Sequence, residues 1–275
     1  CYFFLKHSHY FYYLGYINFQ ARITYRYFYK LITTTKDSIK KNSIYYKPIF
    51  FSGITSNANH EISDFYLVGV KAETKILNNL SIGLQFDHIT GNYTSQIIKY
   101  KDSLGFFPGF GNKSNRLQFY SQYSPNKFIT SEIGYGKHFI GDGYHSLLVS
   151  DFGDSYPYLK FITQFGGIKY YNLYTTFINP DMIDVGRKKH STIHYLHYNL
   201  TKNINIGIFE SILWQSKSEE VYKGFELAYL NPVIFYRPVE FSKHSNKGNA
   251  LMGATFNINY KDMTIYSQLL LDDLN

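Results

Sequence analysis

Strict two-residue alternation is the feature that most constrains this chain. From Leu80 one face reads Leu80, Ile82, Leu84 and Phe86, and the other reads Ser81, Gly83, Gln85 and Asp87. Residues 117–123 set Leu117, Phe119 and Tyr123 against Gln118, Tyr120 and Gln122. Residues 203–210 set Ile204, Ile206 and Ile208 against Asn203, Asn205, Gly207 and Phe209. Residues 252–260 set Met252, Ala254, Phe256, Ile258 and Tyr260 against Gly253, Thr255, Asn257 and Asn259. Side chains alternate across a strand, so each stretch predicts a strand with one apolar and one polar face. A soluble β-sandwich shows bulk water a face rich in Lys and Glu. Here the polar face is Ser, Gly, Gln, Asn and Thr, which suits the inside of a barrel whose outside meets lipid. The expected fold is all-β, an antiparallel transmembrane β-barrel of outer-membrane type, with a Tyr-rich soluble sandwich as the alternative.

Composition fits that expectation. The 275 residues suffice for one large β domain or two small ones. Aromatic residues make up 20%, with 29 Tyr, 24 Phe and a single Trp. Tyr and Phe favour strands, and Tyr suits an apolar–water boundary. Charged residues are only 17%, yet the mean hydropathy is −0.27, so apolar and polar residues are interleaved. No window approaches the ~18 uninterrupted apolar residues of a membrane helix. The net charge of +8 comes from basic residues that cluster only at Lys40-Lys41 and Arg187-Lys188-Lys189. Nucleic-acid binding needs a concentrated basic stripe, so no nucleic-acid partner is expected. Cys1 is the only cysteine, which excludes a disulfide within the chain and a thiolate metal cluster. Acylation of Cys1 is weighed against the start of a fragment, and the apolar Tyr2-Phe3-Phe4-Leu5 that follows favours the fragment. No secretory signal pattern is visible.

Tight turns alternate with long connections. Asn78-Asn79, Ser124-Pro125-Asn126-Lys127, Thr201-Lys202-Asn203 and Lys261-Asp262 each separate two alternating stretches, so each predicts a hairpin. Long inserts occupy residues 91–114, 136–157, 178–190 and 214–249. This is the rhythm of an outer-membrane barrel, with tight turns on one rim and long loops on the other. Residues 62–275 are expected to supply barrel strands with these inserts, and residues 1–61 a poorly patterned segment with one or two strands. Strands are expected near 16–30 and 62–76, with 31–61 low in pattern, and about ten to twelve in all.

Catalytic chemistry finds little support. The run Gly105–Ser114 has a glycine-rich look, but Asn112 precedes Lys113 where a phosphate loop needs Gly, and a strand follows it where that loop needs a helix. His190 and His194 share a strand face while His197 points to the other, so no metal site is expected. Residues 136–160 carry Lys137, His138, Asp142, Tyr144, His145, Ser146, Asp151, Asp154, Tyr156 and Tyr158. Ser146 lacks the glycine spacing of a nucleophile elbow. The polar groups are read as the hydrogen-bonding set of a folded loop, with aromatic faces and aspartates compatible with sugar. A second run, Glu226–Glu240, is broken by Pro232 and Pro238, and its Glu226, Asn231, Arg237 and Glu240 are read as a structural polar network.

Two strings resemble the Wzi-type capsule assembly family of Gram-negative outer-membrane proteins, in its Bacteroidetes form, whose relatives include a gliding-motility surface protein. The first is Gly136-Lys137-His138-Phe139-Ile140-Gly141-Asp142-Gly143-Tyr144-His145-Ser146-Leu147-Leu148, followed by Tyr156-Pro157-Tyr158-Leu159-Lys160. The second is Phe225–Glu240, with Asn249-Ala250-Leu251-Met252-Gly253 after it. The likeness covers residues 115–275. His145 stands where the family pattern often has Arg, and Phe152 where it often has Asn. The resemblance implies a non-enzymatic outer-membrane barrel without cofactor, acting in surface polysaccharide (capsule) attachment or assembly. Its partners would be outer-membrane lipid, surface polysaccharide and other surface-export or motility proteins. Lys137, Asp142, Tyr144, His145, Asp151, Tyr156 and Tyr158 would face the polysaccharide. A gliding-motility role and a porin-like diffusion barrel remain the alternatives.

Overall fold

The computed structural model describes residues 43–56, 62–92, 113–142, 146–151, 155–178, 188–215, 217–218, 221–222, 230–232, 249–260 and 263–272. The strands are β1 (Ile44–Ser56), β2 (Ile62–Leu77), β3 (Leu80–Asn92), β4 (Lys113–Tyr123), β5 (Ile129–Gly136), β6 (Tyr156–Phe165) and β7 (Ile168–Ile178). They continue with β8 (Lys188–Asn199), β9 (Ile204–Gln215), β10 (Lys217–Ser218), β11 (Val221–Tyr222), β12 (Asn249–Tyr260) and β13 (Met263–Asp272). Among the described residues there is no α-helix. The fold is all-β, as the alternation predicts. One 11-stranded sheet runs in the order β1-β2-β3-β4-β5-β6-β7-β8-β9-β12-β13, and β10 and β11 form a separate two-stranded ladder. The ladders β1–β2, β2–β3, β4–β5, β5–β6, β6–β7, β7–β8, β8–β9, β9–β12 and β12–β13 are all antiparallel. A sandwich needs two large packed sheets, and none exists among the described residues.

The chain divides into two compact units, Cys1–Gln118 and Phe119–Asn275. In the first, β1 pairs with β2 from Ile44↔Thr74 to Ser56↔Ile62, and β2 with β3 from Asp64↔Asn92 to Leu77↔Leu80. One face of this unit is apolar and open. Phe50 (71% exposed) lies opposite Val68 (51%), and Val70 lies opposite Phe86. The other face buries charge. The Lys71 ammonium meets Glu73 at 2.8 Å, and the Arg116 guanidinium meets Asp87 at 3.2 Å. The Asp87 carboxylate lies over Gly69, where a Cβ would come within 2.2 Å of its Oδ1.

β1 falls inside the stretch that the sequence left without pattern. Tyr46, Pro48 and Phe50 share a row, but Lys47 and Ile49 mix charge with apolar surface on the other, so alternation is weak. The segment's Ile, Tyr, Phe and Thr residues favour a strand, and pairing with β2 makes it one despite the weak alternation. The strand expected at 16–30 lies outside the described residues.

In the second unit every expected hairpin forms, with the strands ending beside the turns named above. Side chains close two of them: the Asn126 Oδ1 accepts from the Phe128 and Ile129 amides, and the Thr201 Oγ1 from those of Asn203 and Ile204. A further hairpin, between β6 and β7, turns at Gly166-Gly167, with Gly166 at φ +56°, a conformation glycine adopts without a Cβ clash. One face carries Phe119, Ile133 (61% exposed), Ile208, Phe256, Ile265 (59% exposed) and Leu269. The opposite face carries Glu132, Tyr158, Lys160, Leu173, Ser191, Ile193, Tyr195, Phe209 and Thr255, and there the core of the unit sits.

Candidate functional site

The core of the second unit contains an insert. Between β5 and β6 the chain leaves the strand at Gly136 and folds onto the polar face. Ile140 and Val149 form an isolated antiparallel bridge there, with Ile140 N donating to Val149 O at 3.0 Å. Both side chains are buried against Tyr156, Tyr158, Leu173, Ile193, Tyr195 and Phe209, with Leu148 packed alongside. Burying each large apolar side chain contributes about 1.5–3 kcal/mol. The alternation predicts a polar inner face, and the insert covers this face partly by apolar contact.

Specific bonds fix the insert. The Ser146 hydroxyl donates to the Ile140 carbonyl and accepts from the Leu148 amide at 3.0 Å. Gln268, on β13, reaches both arms. Its Oε1 accepts from the Leu147 amide at 2.7 Å, and its amide donates to the Asp142 carbonyl. Gly253 on β12 leaves room for Leu148, whose Cδ2 would lie 2.8 Å from an added Cβ.

A polar cluster sits where the insert leaves β5. The Tyr158 hydroxyl donates to the Glu132 Oε1 at 2.6 Å, and the Lys160 ammonium reaches the same oxygen at 2.7 Å. The Lys160 ammonium also stands 5.5 Å from the Tyr158 ring centre, within reach of a cation–π contact. The His138 ring meets Tyr158 edge-on at 4.2 Å and its Nδ1 lies 3.3 Å from the Tyr156 hydroxyl. Burial, and then the Lys160 ammonium, lower the His138 pKa from 6.5 to about 3 against the opposing pull of Glu132. The imidazole is therefore neutral at ordinary pH.

The sequence-predicted site residues separate into groups. Tyr156 and Tyr158 are buried, with both hydroxyls engaged inside the fold. Lys137, Asp142 and Asp151 are half-buried along the insert. The Asp142 carboxylate acts electrostatically on Tyr195 and His197, and its Oδ2 is a buried atom without a hydrogen-bond partner. Tyr144 and His145 lie outside the described residues, as do Glu226, Arg237 and Glu240. Asn231 is exposed, between Leu230 and Pro232.

Sequence reasoning missed the glutamine clamp of Gln268 and the Glu132–Lys160–Tyr158 cluster. It also missed a polar row on the opposite face of the sheet, formed by Asn172, His194 and Glu210 on β7, β8 and β9. In the registers Asn172 pairs with His194 and His194 with Glu210. A signal for this row existed: Glu210 interrupts the apolar series Ile204, Ile206, Ile208 and Ile212. The histidines divide as expected, with His190 and His194 on one face of β8 and His197 on the other. Among the described residues no group of three or more His, Cys, Asp or Glu side chains is placed to hold a metal ion.

No family model matches the chain, and no curated protein matches it. Among solved structures the chain is similar to Salmonella typhi OmpF in complex with daunomycin, at 10% identity and a TM-score of 0.37, over 84% of this chain and 78% of that one. That likeness is too distant to carry the fold.

Proposed function

We propose that this chain is a non-enzymatic outer-membrane β-barrel that acts in the attachment or assembly of surface polysaccharide, with the 137–151 insert seated inside it. The observation that carries the barrel reading is the two-faced sheet. In each unit large apolar side chains stand exposed on one face, Phe50 and Val68 in the first and Ile133 and Ile265 in the second, while polar groups are buried on the other, Glu73 and Asp87 in the first and Glu132 and Asn257 in the second. Water would favour the reverse, whereas lipid outside and a polar interior favour this arrangement. Strand length agrees: β2 has 16 residues and β6 has 10, and a tilted membrane strand needs about 9–11.

The inward fold of the insert favours a plugged barrel over an open diffusion channel. Lys137, Asp142 and Asp151 are half-buried along the insert. Carboxylates and ammonium groups there would bond sugar hydroxyls. The test is deletion in the source organism, read by capsule staining and a spreading assay, with conductance of the purified protein in planar bilayers. Lost capsule retention with little conductance supports the proposal. Intact capsule with lost spreading moves the role to gliding motility, and large steady conductance moves it to diffusion.

A further inference from the structure

The face that is apolar and open elsewhere in the second unit is closed over one part of β7, β8 and β9, around Asn172, His194 and Glu210, while Ile168, Tyr198 and Ile208 further along the same strands are exposed. Ile133, Phe256 and Leu269 on this face are 61%, 40% and 55% exposed, whereas Asn172, His194 and Glu210 are 4%, 1% and 2% exposed. Thr192, Ile212 and Trp214 beside them are also buried. Lipid offers no hydrogen bonds, so a polar row on a lipid-facing wall must be covered by protein.

Part of the cover is visible. The Tyr170 hydroxyl donates to the Pro232 carbonyl at 2.6 Å, and the Tyr174 hydroxyl to the Leu230 carbonyl at 3.0 Å. Both carbonyls belong to the connection between β9 and β12. The two tyrosines bracket His194: Tyr170 stacks on it with ring centres 6.0 Å apart, and Tyr174 meets it edge-on at 6.5 Å. His194 Nδ1 lies 2.6 Å from the Asn172 Oδ1 and 3.0 Å from the Tyr170 hydroxyl. The row that holds the histidine thus also holds the connection.

We propose that the part of β7–β9 around the Asn172–His194–Glu210 row forms a lipid-excluded sector of the barrel wall, on which Leu230–Pro232 is docked as an external strap. The inference rests on the membrane reading above. Its occupant is a segment of this same chain, anchored by the Tyr170 and Tyr174 hydroxyls. The two inserts then do opposite things, since 137–151 covers the polar face and 230–232 covers the other.

Trp214 reports on this sector, because it is the only tryptophan in the chain and is 5% exposed on the strapped face. The full chain is reconstituted in vesicles of ordinary phospholipid and of phospholipid brominated near the headgroup end of its acyl chains. Trp214 emission is expected to fall by less than a fifth in brominated lipid. In the Tyr170→Phe/Tyr174→Phe variant the quenching is expected to rise at least twofold. Strong quenching of Trp214 in the unmodified protein overturns the proposal, and unchanged weak quenching in the double variant overturns the tyrosine anchor. The control is Trp214→Phe/Ile133→Trp, with the reporter on the open face. If that tryptophan is not quenched, the membrane reading fails, and the strap with it; if it is quenched while Trp214 is also quenched, only the strap fails.

Discussion

Gly207→Ala tests whether the polar face is built by close approach of side chains to bare backbone. Tyr195, on β8, crosses over Gly207 on β9 to reach Thr255 on β12, and the two hydroxyl oxygens are 2.8 Å apart. A Cβ at Gly207 would lie 2.4 Å from the Tyr195 hydroxyl, 2.5 Å from the Thr255 Oγ1 and 2.6 Å from the Tyr195 Cε2. Two of the three close atoms belong to the Tyr195 ring and its hydroxyl, so the ring must move, and the Thr255 hydroxyl loses its place beside it. Overpacking costs about 1–3 kcal/mol. A lost hydrogen bond between buried hydroxyls adds about 1 kcal/mol. The expected destabilisation is about 2–4 kcal/mol in total. Urea titration of the protein in vesicles, followed by Trp214 emission, measures it. In a Tyr195→Ala background the same substitution should cost under about 1 kcal/mol, since the obstructing ring is gone. Equal costs in both backgrounds, or no cost in the first, would refute the close-approach reasoning.

Glu132→Ala should destabilise by about 3 kcal/mol, because it leaves the Lys160 ammonium buried without its carboxylate; Glu132→Leu with Lys160→Met should recover most of that loss in the same titration. Gln268→Ala should cost only about 1–2 kcal/mol but should speed protease cleavage within residues 137–151 several-fold, since both arms of the insert lose their clamp. The His138 effect has a definite sign. Its folded pKa is about 3 against 6.5 for the free side chain, so the unfolded chain binds the extra proton between those values. Its contribution is complete above pH 6.5 and is lost as pH falls towards 3, and His138→Gln should flatten the stability profile over that window.

Alternation alone was enough to place the strands whose two faces differ sharply, such as β3, β9 and β12, and the Asn, Asp, Pro and Lys turns marked most hairpins. β1 was not legible because Lys47 and Ile49 mix charge with apolar surface on one of its rows, so its two faces do not differ sharply. The Gly166-Gly167 turn is equally short but lacks those residue types. At the site, the insert could be located by its broken period, but its direction could not. Ile140, Leu148 and Val149 reveal a docked surface only when the apolar partners Leu173, Ile193 and Phe209 are brought together from distant strands. Gln268 lies more than a hundred residues from the amide it binds, a separation no local pattern encodes.

The order of the sheet bears on how the chain can be assembled. Strands of the large sheet pair with their neighbours in sequence except at β9–β12, where the chain from Gln215 to Asn249 intervenes. Hairpins close quickly, and closing a longer loop adds only about 0.6 kcal/mol for each doubling of its length. The β12–β13 hairpin is therefore the piece least dependent on covalent connection to the rest. Supplied as a separate peptide, it carries the complete edge that β9 recognises, ten register pairs from Asn249↔Leu213 to Ile258↔Ile204, and so offers a natural place to split this protein into two complementing parts.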